Sequence, residues 1–258
     1  MQERHTNEER YFNELATTSR EYYIDYVKQF MEIKSDIKIA EIGCGHGGNL
    51  LPFAELGCKV TGVDICEARV IKAKEIFDSK NIESTFIGSS FFDLEISEFE
   101  KFDLILVHDI IEHITDKSEF ISKIRRLLAK DGIVFWRFPA WQMPFGGHQQ
   151  ICKSKLCSHM PFIHLLPKSL YKALLKSQGE KQNCIDELLD IKNCATSIEL
   201  FEKLIAENGY TKLDRMLWFI NPHYKQKFNL TPRKLSPVIS KIAYIRNFFA
   251  TSCYYITK

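Results

Sequence analysis

No stretch of the 258 residues reaches the roughly 18 consecutive apolar positions that a membrane-spanning helix needs. The opening MQERHTNEERYF also lacks the apolar core of a secretory leader. The chain is therefore expected in the cytoplasm. Charge of one sign is missing too: 35 Lys and Arg stand against 33 Asp and Glu, a net +2, so the composition carries no nucleic-acid-binding signature. On this ground RNA is disfavoured. Glycine (12) and proline (8) are too scarce for a disordered or collagen-like chain. The eight cysteines form no C-x-x-C pair, and a core of this size needs no stapling. They read as reduced thiols, and no metal is expected. There is no internal repeat, so one large domain, or one with an insertion, is the default. Oligomeric state is not written in the sequence.

What is present is an alternation of periods. Residues 1–35 form an N-terminal helical segment in which Tyr11, Phe12 and Leu15, then Tyr22, Tyr23, Tyr26, Val27, Phe30 and Met31, recur at helical spacing. From residue 36 five short runs follow, KIAEIG, KVTGVDI, STFI, FDLILVH and GIVFWRF, separated by helical patterns, which is the signature of a parallel sheet covered on both faces. One of those helices, DKSEFISKIRRLLAKDG, places Phe120, Ile121, Ile124, Leu127 and Leu128 on one face, with Gly132 as its expected stop. After residue 140 the rhythm breaks. Residues 141–196 read as an inserted helical cap or lid, and residues 197–258 as a helix plus two strand-like runs, LDRMLWFI and FFATSCYYITK, that complete the sheet. The expected fold is α/β, a Rossmann-like seven-stranded, mostly parallel sheet with helices on both faces and the cap inserted.

The loop after the first strand fits two motifs. Gly43, Gly45 and Gly48 spell the dinucleotide fingerprint G-x-G-x-x-G, whereas Glu41, Gly43, Gly45 and Gly47 spell E-x-G-x-G-x-G. A carboxylate at Glu41 suits a cationic cofactor better than a pyrophosphate. Asp64, closing the second strand, can accept both hydroxyls of a ribose in either case. The later order decides: FDLILVHDIIEHI followed by RRLLAKDGIVFWRFP, taken with the E-x-G-x-G-x-G loop, resembles the class I S-adenosylmethionine-dependent methyltransferases over roughly residues 39–139.

That resemblance implies a set of cofactor contacts. Gly43, Gly45 and Gly47, with Glu41, would wrap the methionine part. Asp64 would hold the ribose and Ile65 flank the adenine. His108 or Asp109 would lie at the methionine end. The family often carries an acidic residue just after the third strand to meet the adenine amino group; here IGSSFFDL offers Ser90 with Phe91 as the preferred match. The N-P-P-Y tetrapeptide of enzymes that methylate planar amino groups is replaced by His108-Asp109-Ile110-Ile111, which argues against DNA as substrate.

Methyl transfer asks the protein for proximity, orientation and, where needed, removal of one proton. His148, in the loop PFGGHQQ with two preceding glycines to free its backbone, is the first candidate base, and His108 the second. His113 and His46 read as structural. Lys168, Lys172 and Lys176 recur every fourth residue beside Leu170, Tyr171, Leu174 and Leu175, and from Arg215 onward the chain has eight basic and no acidic residues. Such surfaces could meet an anionic membrane, at its inner face, or an anionic substrate. The expectation is methyl transfer from S-adenosylmethionine to oxygen, ahead of nitrogen, of a small molecule, with anionic and lipid-linked acceptors included. The alternatives are a nicotinamide-dependent oxidoreductase and a non-catalytic module that binds a nucleoside cofactor.

Overall fold

A computed structural model describes residues 7–258; residues 1–6 of the expected N-terminal segment lie outside the described residues. The five anticipated runs are strands β1 (Lys38–Ile42), β2 (Lys59–Asp64), β3 (Ser84–Gly88), β4 (Phe102–His108) and β5 (Leu128–Phe138). All four of their pairings are parallel. The tail adds β6 (Lys212–Ile220), β7 (Arg233–Lys234) and β8 (Ser252–Thr257). The sheet runs β3-β2-β1-β4-β5-β8-β6-β7, with β8, β6 and β7 joined by antiparallel pairings. Eight strands replace the expected seven because the two-residue β7 pairs along the edge of β6.

Both faces are covered, which is why the middle of β4 is apolar: Leu104 and Leu106 point to one face and Ile105 and Val107 to the other. On the first face lie helices α1 (Glu8–Thr18), α2 (Ile24–Val27), α3 (Leu51–Glu55) and α4 (Glu67–Ser79). They bury Phe12, Tyr26, Phe53 and Phe77. On the second lies α5 (Lys117–Leu127), which buries Phe120, Ile121, Ile124 and Leu127 as its periodicity requires. Its end differs from expectation. The helix stops at Leu127, and Gly132 sits inside β5, where an added Cβ would lie 2.8 Å from the Phe102 carbonyl oxygen.

Between α1 and α2 the helix widens into a π-helical stretch, Ser19–Tyr23, a form that recurs at functional sites. It lays the Tyr23 ring on His108 at 4.7 Å. Residues 141–196 carry α6 (Lys155–His159), α7 (Lys168–Ser177) and α8 (Gln182–Asn193), with an apolar cluster of their own around Tyr171, Leu175, Ile185 and Leu188. The Trp141 N–H donates to the Thr196 carbonyl at 2.9 Å, tying the two ends of the segment together. The tail contributes α9 (Ile198–Glu207), packed on α5, then α10 (His223–Phe228) and α11 (Pro237–Lys241).

Candidate active site

Strand order reverses between β1 and β4, and in open α/β sheets ligands bind in the crevice at that switch point, beyond the carboxyl ends of the strands. A cleft of about 320 Å³ lies there, lined by Gly43, Gly45, Asp64, His108, Asp109 and Arg137 among others. A larger hollow of about 760 Å³ opens at the opposite ends of β1–β3, around Lys38, Lys59 and Thr61. It faces the amino ends of the strands, away from the switch point, so the smaller cleft is the candidate.

The glycine loop builds its floor. Gly43, Gly45 and Gly47 all have positive φ, at 77°, 53° and 79°. Their surroundings differ. A Cβ on Gly43 would meet the Ile110 side chain at 2.1 Å, one on Gly47 the Phe86 ring at 2.9 Å, and one on Gly48 the Phe12 carbonyl oxygen at 2.8 Å. A Cβ on Gly45 would have no atom of the described residues within 4 Å, so this backbone is bare toward the cleft. Gly47 packs under the loop instead of lining it. Asp64 fixes the far wall: its carboxylate accepts the N–H of Gly45 at 2.8 Å and of Cys66 at 2.9 Å, and each oxygen keeps acceptor capacity.

Behind the wall sits a buried polar chain. Glu41 accepts from the Asn49 amide at 2.7 Å and lies 3.2 Å from His108 Nδ1, while His108 Nε2 has no partner among the described residues. Burial pushes the Glu41 carboxyl up to about 8, and burial with the nearby Arg137 charge drives His108 well below its usual range. Asp109, held at φ 50° with its N–H on the Arg137 carbonyl, pairs with the Arg137 guanidinium; its other oxygen has no partner. Arg137 Nε donates to Ser252 at 3.1 Å. Glu8, Tyr11 and Leu15 of α1 and Tyr23 of the π stretch close the cleft from above, so the N-terminal segment does more than pack on the sheet.

The expected adenine contacts are not gathered in this cleft. Ile65 follows Asp64 and is 77% exposed. Ser90 uses its hydroxyl to accept the Phe92 N–H, and the Phe91 ring is turned into the core against Phe120 at 5.2 Å. Neither side chain lines the cleft.

His148 also lies off the wall of the cleft, with its ring 5.0 Å from that of His113. One ligand atom each from Glu112, His113 and His148 falls within 4.8 Å of the others; a second such group is Cys152, Glu180 and Cys184. Both Glu112 oxygens are buried without partners, and burial pushes that carboxyl up to about 8. Burial, with the neighbouring His113, lowers His148 to about 4, leaving a neutral imidazole at pH 7. The two preceding glycines do not supply backbone freedom as expected. A Cβ on Gly146 would strike the Trp141 carbonyl oxygen at 2.2 Å and one on Gly147 the His164 side chain at 2.2 Å; they permit close packing, and the left-handed backbone (φ 56°) belongs to His148 itself.

Sequence reasoning passed over Arg137, Asn49, Tyr11 and Tyr23. Arg137 had a signal, as the one charge in the apolar run GIVFWRF, since a buried arginine needs a partner. The other three had none beyond helical or loop position.

A family model described as "Methyltransferase domain" matches residues 33–184. Two relatives are both "Ubiquinone biosynthesis O-methyltransferase". The one from Bartonella quintana is 30% identical over 173 residues, 64% of this chain and 62% of the relative. The one from Bartonella tribocorum is 35% identical over 100 residues, 39% of this chain and 40% of the relative. The matches thus span about two to three fifths of those relatives' length. Among solved structures, an S-adenosylmethionine-dependent methyltransferase from Clostridium acetobutylicum superposes with TM-score 0.58 at 12% identity, covering 94% of this chain and 91% of that one. Magnesium protoporphyrin IX methyltransferase from Synechocystis PCC 6803, with bound S-adenosylhomocysteine, gives 0.53 at 16% identity, covering 94% and 81%.

Proposed function

Because the chain belongs to the class I S-adenosylmethionine-dependent methyltransferases, we propose that it moves the methyl group to an oxygen of a small, lipid-linked acceptor brought to the cleft from an anionic membrane surface. The cleft residues fit the cofactor. Gly45 offers bare backbone. Asp64 offers a carboxylate with spare acceptor capacity for the ribose hydroxyls. The unpartnered His108 Nε2 and Asp109 oxygen suit the cationic methionine end, with Arg137 to meet its carboxylate. Glu41 acts from behind, through Asn49 and His108, as a buried carboxyl that an arriving positive charge would help to ionise. Ile65 would lie beside the adenine, with backbone rather than side-chain groups of Ser90 and Phe91 completing that end.

The cofactor supplies an already activated methyl group. The chain must align an acceptor oxygen in line with it and take one proton. His148 is the base in this reading, and the observation that carries it is a neutral imidazole held in a strained left-handed backbone, next to the buried Glu112 carboxyl, where residues 141–196 meet the turn after β4. His108 is too enclosed by Tyr23 and Glu41 for that role and is a positioning residue. Residues 141–196 would then act as the lid over the acceptor. That relatives are named O-methyltransferases favours oxygen.

The membrane part rests on surface chemistry. Among the described residues no helix is long and apolar enough to cross a membrane. Much of the basic tail is already in use: Arg215, Lys225, Arg246 and Lys258 are in ion pairs with Glu202, Glu21, Glu199 and Asp131. What stays outside is apolar as well as basic. Val238, Ile242, Tyr244 and Ile245 are exposed around Lys241, and Phe248 meets Phe162 of the 141–196 segment at 6.3 Å. Exposed apolar side chains beside a lysine suit an anionic lipid surface. Sedimentation with vesicles should therefore rise with anionic lipid content, fall with salt, and be lost when Val238 and Ile245 are both replaced by Asp. Equal sedimentation with neutral and anionic vesicles at low salt would contradict the membrane route.

A further inference from the structure

The second group of possible metal ligands lies inside residues 141–196, away from the cleft, and the reaction proposed above makes no use of it. Cys152, just before α6, Glu180, between α7 and α8, and Cys184, in the first turn of α8, bring two sulfurs and a carboxylate oxygen within 4.8 Å of one another. The fully buried thiol of Cys157 adjoins that of Cys152. The buried Tyr171 hydroxyl faces the same four side chains and has no hydrogen-bond partner. The Glu180 carboxylate accepts the Lys153 N–H at 3.1 Å and the Ser154 N–H at 2.7 Å, which fixes it against the cluster, and each oxygen keeps a lone pair; three thiols and the Tyr171 hydroxyl around it are costly to bury together without something to complete them.

We propose that Cys152, Cys157, Cys184 and Glu180 form a tetrahedral zinc site that locks the three helices of the 141–196 segment together. The metal is chosen by the donors: thiolates with one carboxylate and four ligands in all suit Zn²⁺, whereas Mg²⁺ and Ca²⁺ want oxygen. The distances allow it. At Zn–S separations of about 2.3 Å, tetrahedral sulfurs lie about 3.8 Å apart, so Cys152, Cys184 and Glu180 need close by only an ångström or so, and Cys157, already beside Cys152, must turn toward them as the fourth ligand. Binding displaces the three thiol protons, so affinity must rise with pH. A disulfide between Cys152 and Cys184 would need an oxidant and leave Glu180, Cys157 and Tyr171 unexplained. The segment also has reason to need the metal, since its apolar cluster is small and the site joins elements distant in sequence.

Cobalt titration of the reduced, chelator-treated full chain tests the site, because Co²⁺ in a tetrahedral thiolate site absorbs visible light intensely. One Co²⁺ per chain with that absorption, displaced by Zn²⁺, is expected. Cys184→Ser and Glu180→Gln should each weaken binding by at least about 100-fold, the upper end of what losing a mere supporting contact costs. Cys58→Ser, at the far end of β2, should not change it. Absence of tetrahedral absorption in the folded protein, binding that survives Cys184→Ser and Glu180→Gln unchanged, or recovery of a metal-free Cys152–Cys184 disulfide would each overturn the proposal. None of these readouts depends on methyl transfer, so the zinc site and the enzymatic reading stand or fall separately.

Discussion

His148→Ala is expected to lower turnover by about 100-fold or more while S-adenosylmethionine affinity stays nearly unchanged, because a general base contributes to chemistry and not to cofactor binding. The pH dependence carries the sign of the shift. Burial lowers the His148 imidazole to about 4, so the wild-type rate should hold across neutral pH and fall only as His148 gains a proton near that value. The variant should behave differently. With a phenolic acceptor its rate should climb as pH approaches about 10, where the phenol ionises unaided. Calorimetry separates binding from chemistry in the same preparation. Full turnover in the variant would return His148 to a loop residue packed on His113.

Gly45→Val is expected to abolish measurable cofactor binding, a loss of more than about 100-fold. Two costs combine: a β-branched residue at φ 53° is strained by roughly 1–3 kcal/mol, and its side chain would enter the only part of the loop surface that is bare. Asp64→Ala should cost roughly 1.5–3 kcal/mol of affinity, the range for a lost charged hydrogen bond, part of it through the released N–H groups of Gly45 and Cys66. Gly47→Ala is the informative contrast. Its methyl would press on Phe86, so the melting temperature should fall more than the affinity of the protein that remains folded. Unchanged affinity in a folded Gly45→Val protein would remove the cofactor from this cleft.

The parallel strands were legible because β1, β4 and β5 carry short apolar runs buried on both faces, a pattern that helices seldom produce at that length, and β2 and β3 follow at the same alternation with helices. The end of α5 was not. Gly132 is a helix stop by local preference, but the parallel pairing of β5 with β4 recruits the four residues before it and uses the glycine for close approach to Phe102. That Gly43, Gly45 and Asp64 come together at the switch-point cleft was legible, since backbone geometry there follows from spacing. The Asp109–Arg137 pair could not, because it joins the ends of two strands that only the sheet brings together. The same limit hid the Cys152–Glu180–Cys184 cluster, whose members show no metal-binding spacing along the chain. The reason given for His148 does not hold: its glycines serve packing, and the unusual backbone is its own.

The central claim is methyl transfer to oxygen, and the product reports it most directly. Wild-type protein incubated with S-adenosylmethionine carrying a ¹³C-labelled methyl group, in anionic vesicles, would be offered a phenol and an aniline with the same long alkyl tail. Carbon NMR distinguishes a methoxy from an N-methyl carbon. The account predicts a methoxy signal from the phenol, lost in Gly45→Val and strongly reduced in His148→Ala; an N-methyl product from the aniline with no methoxy product would contradict it.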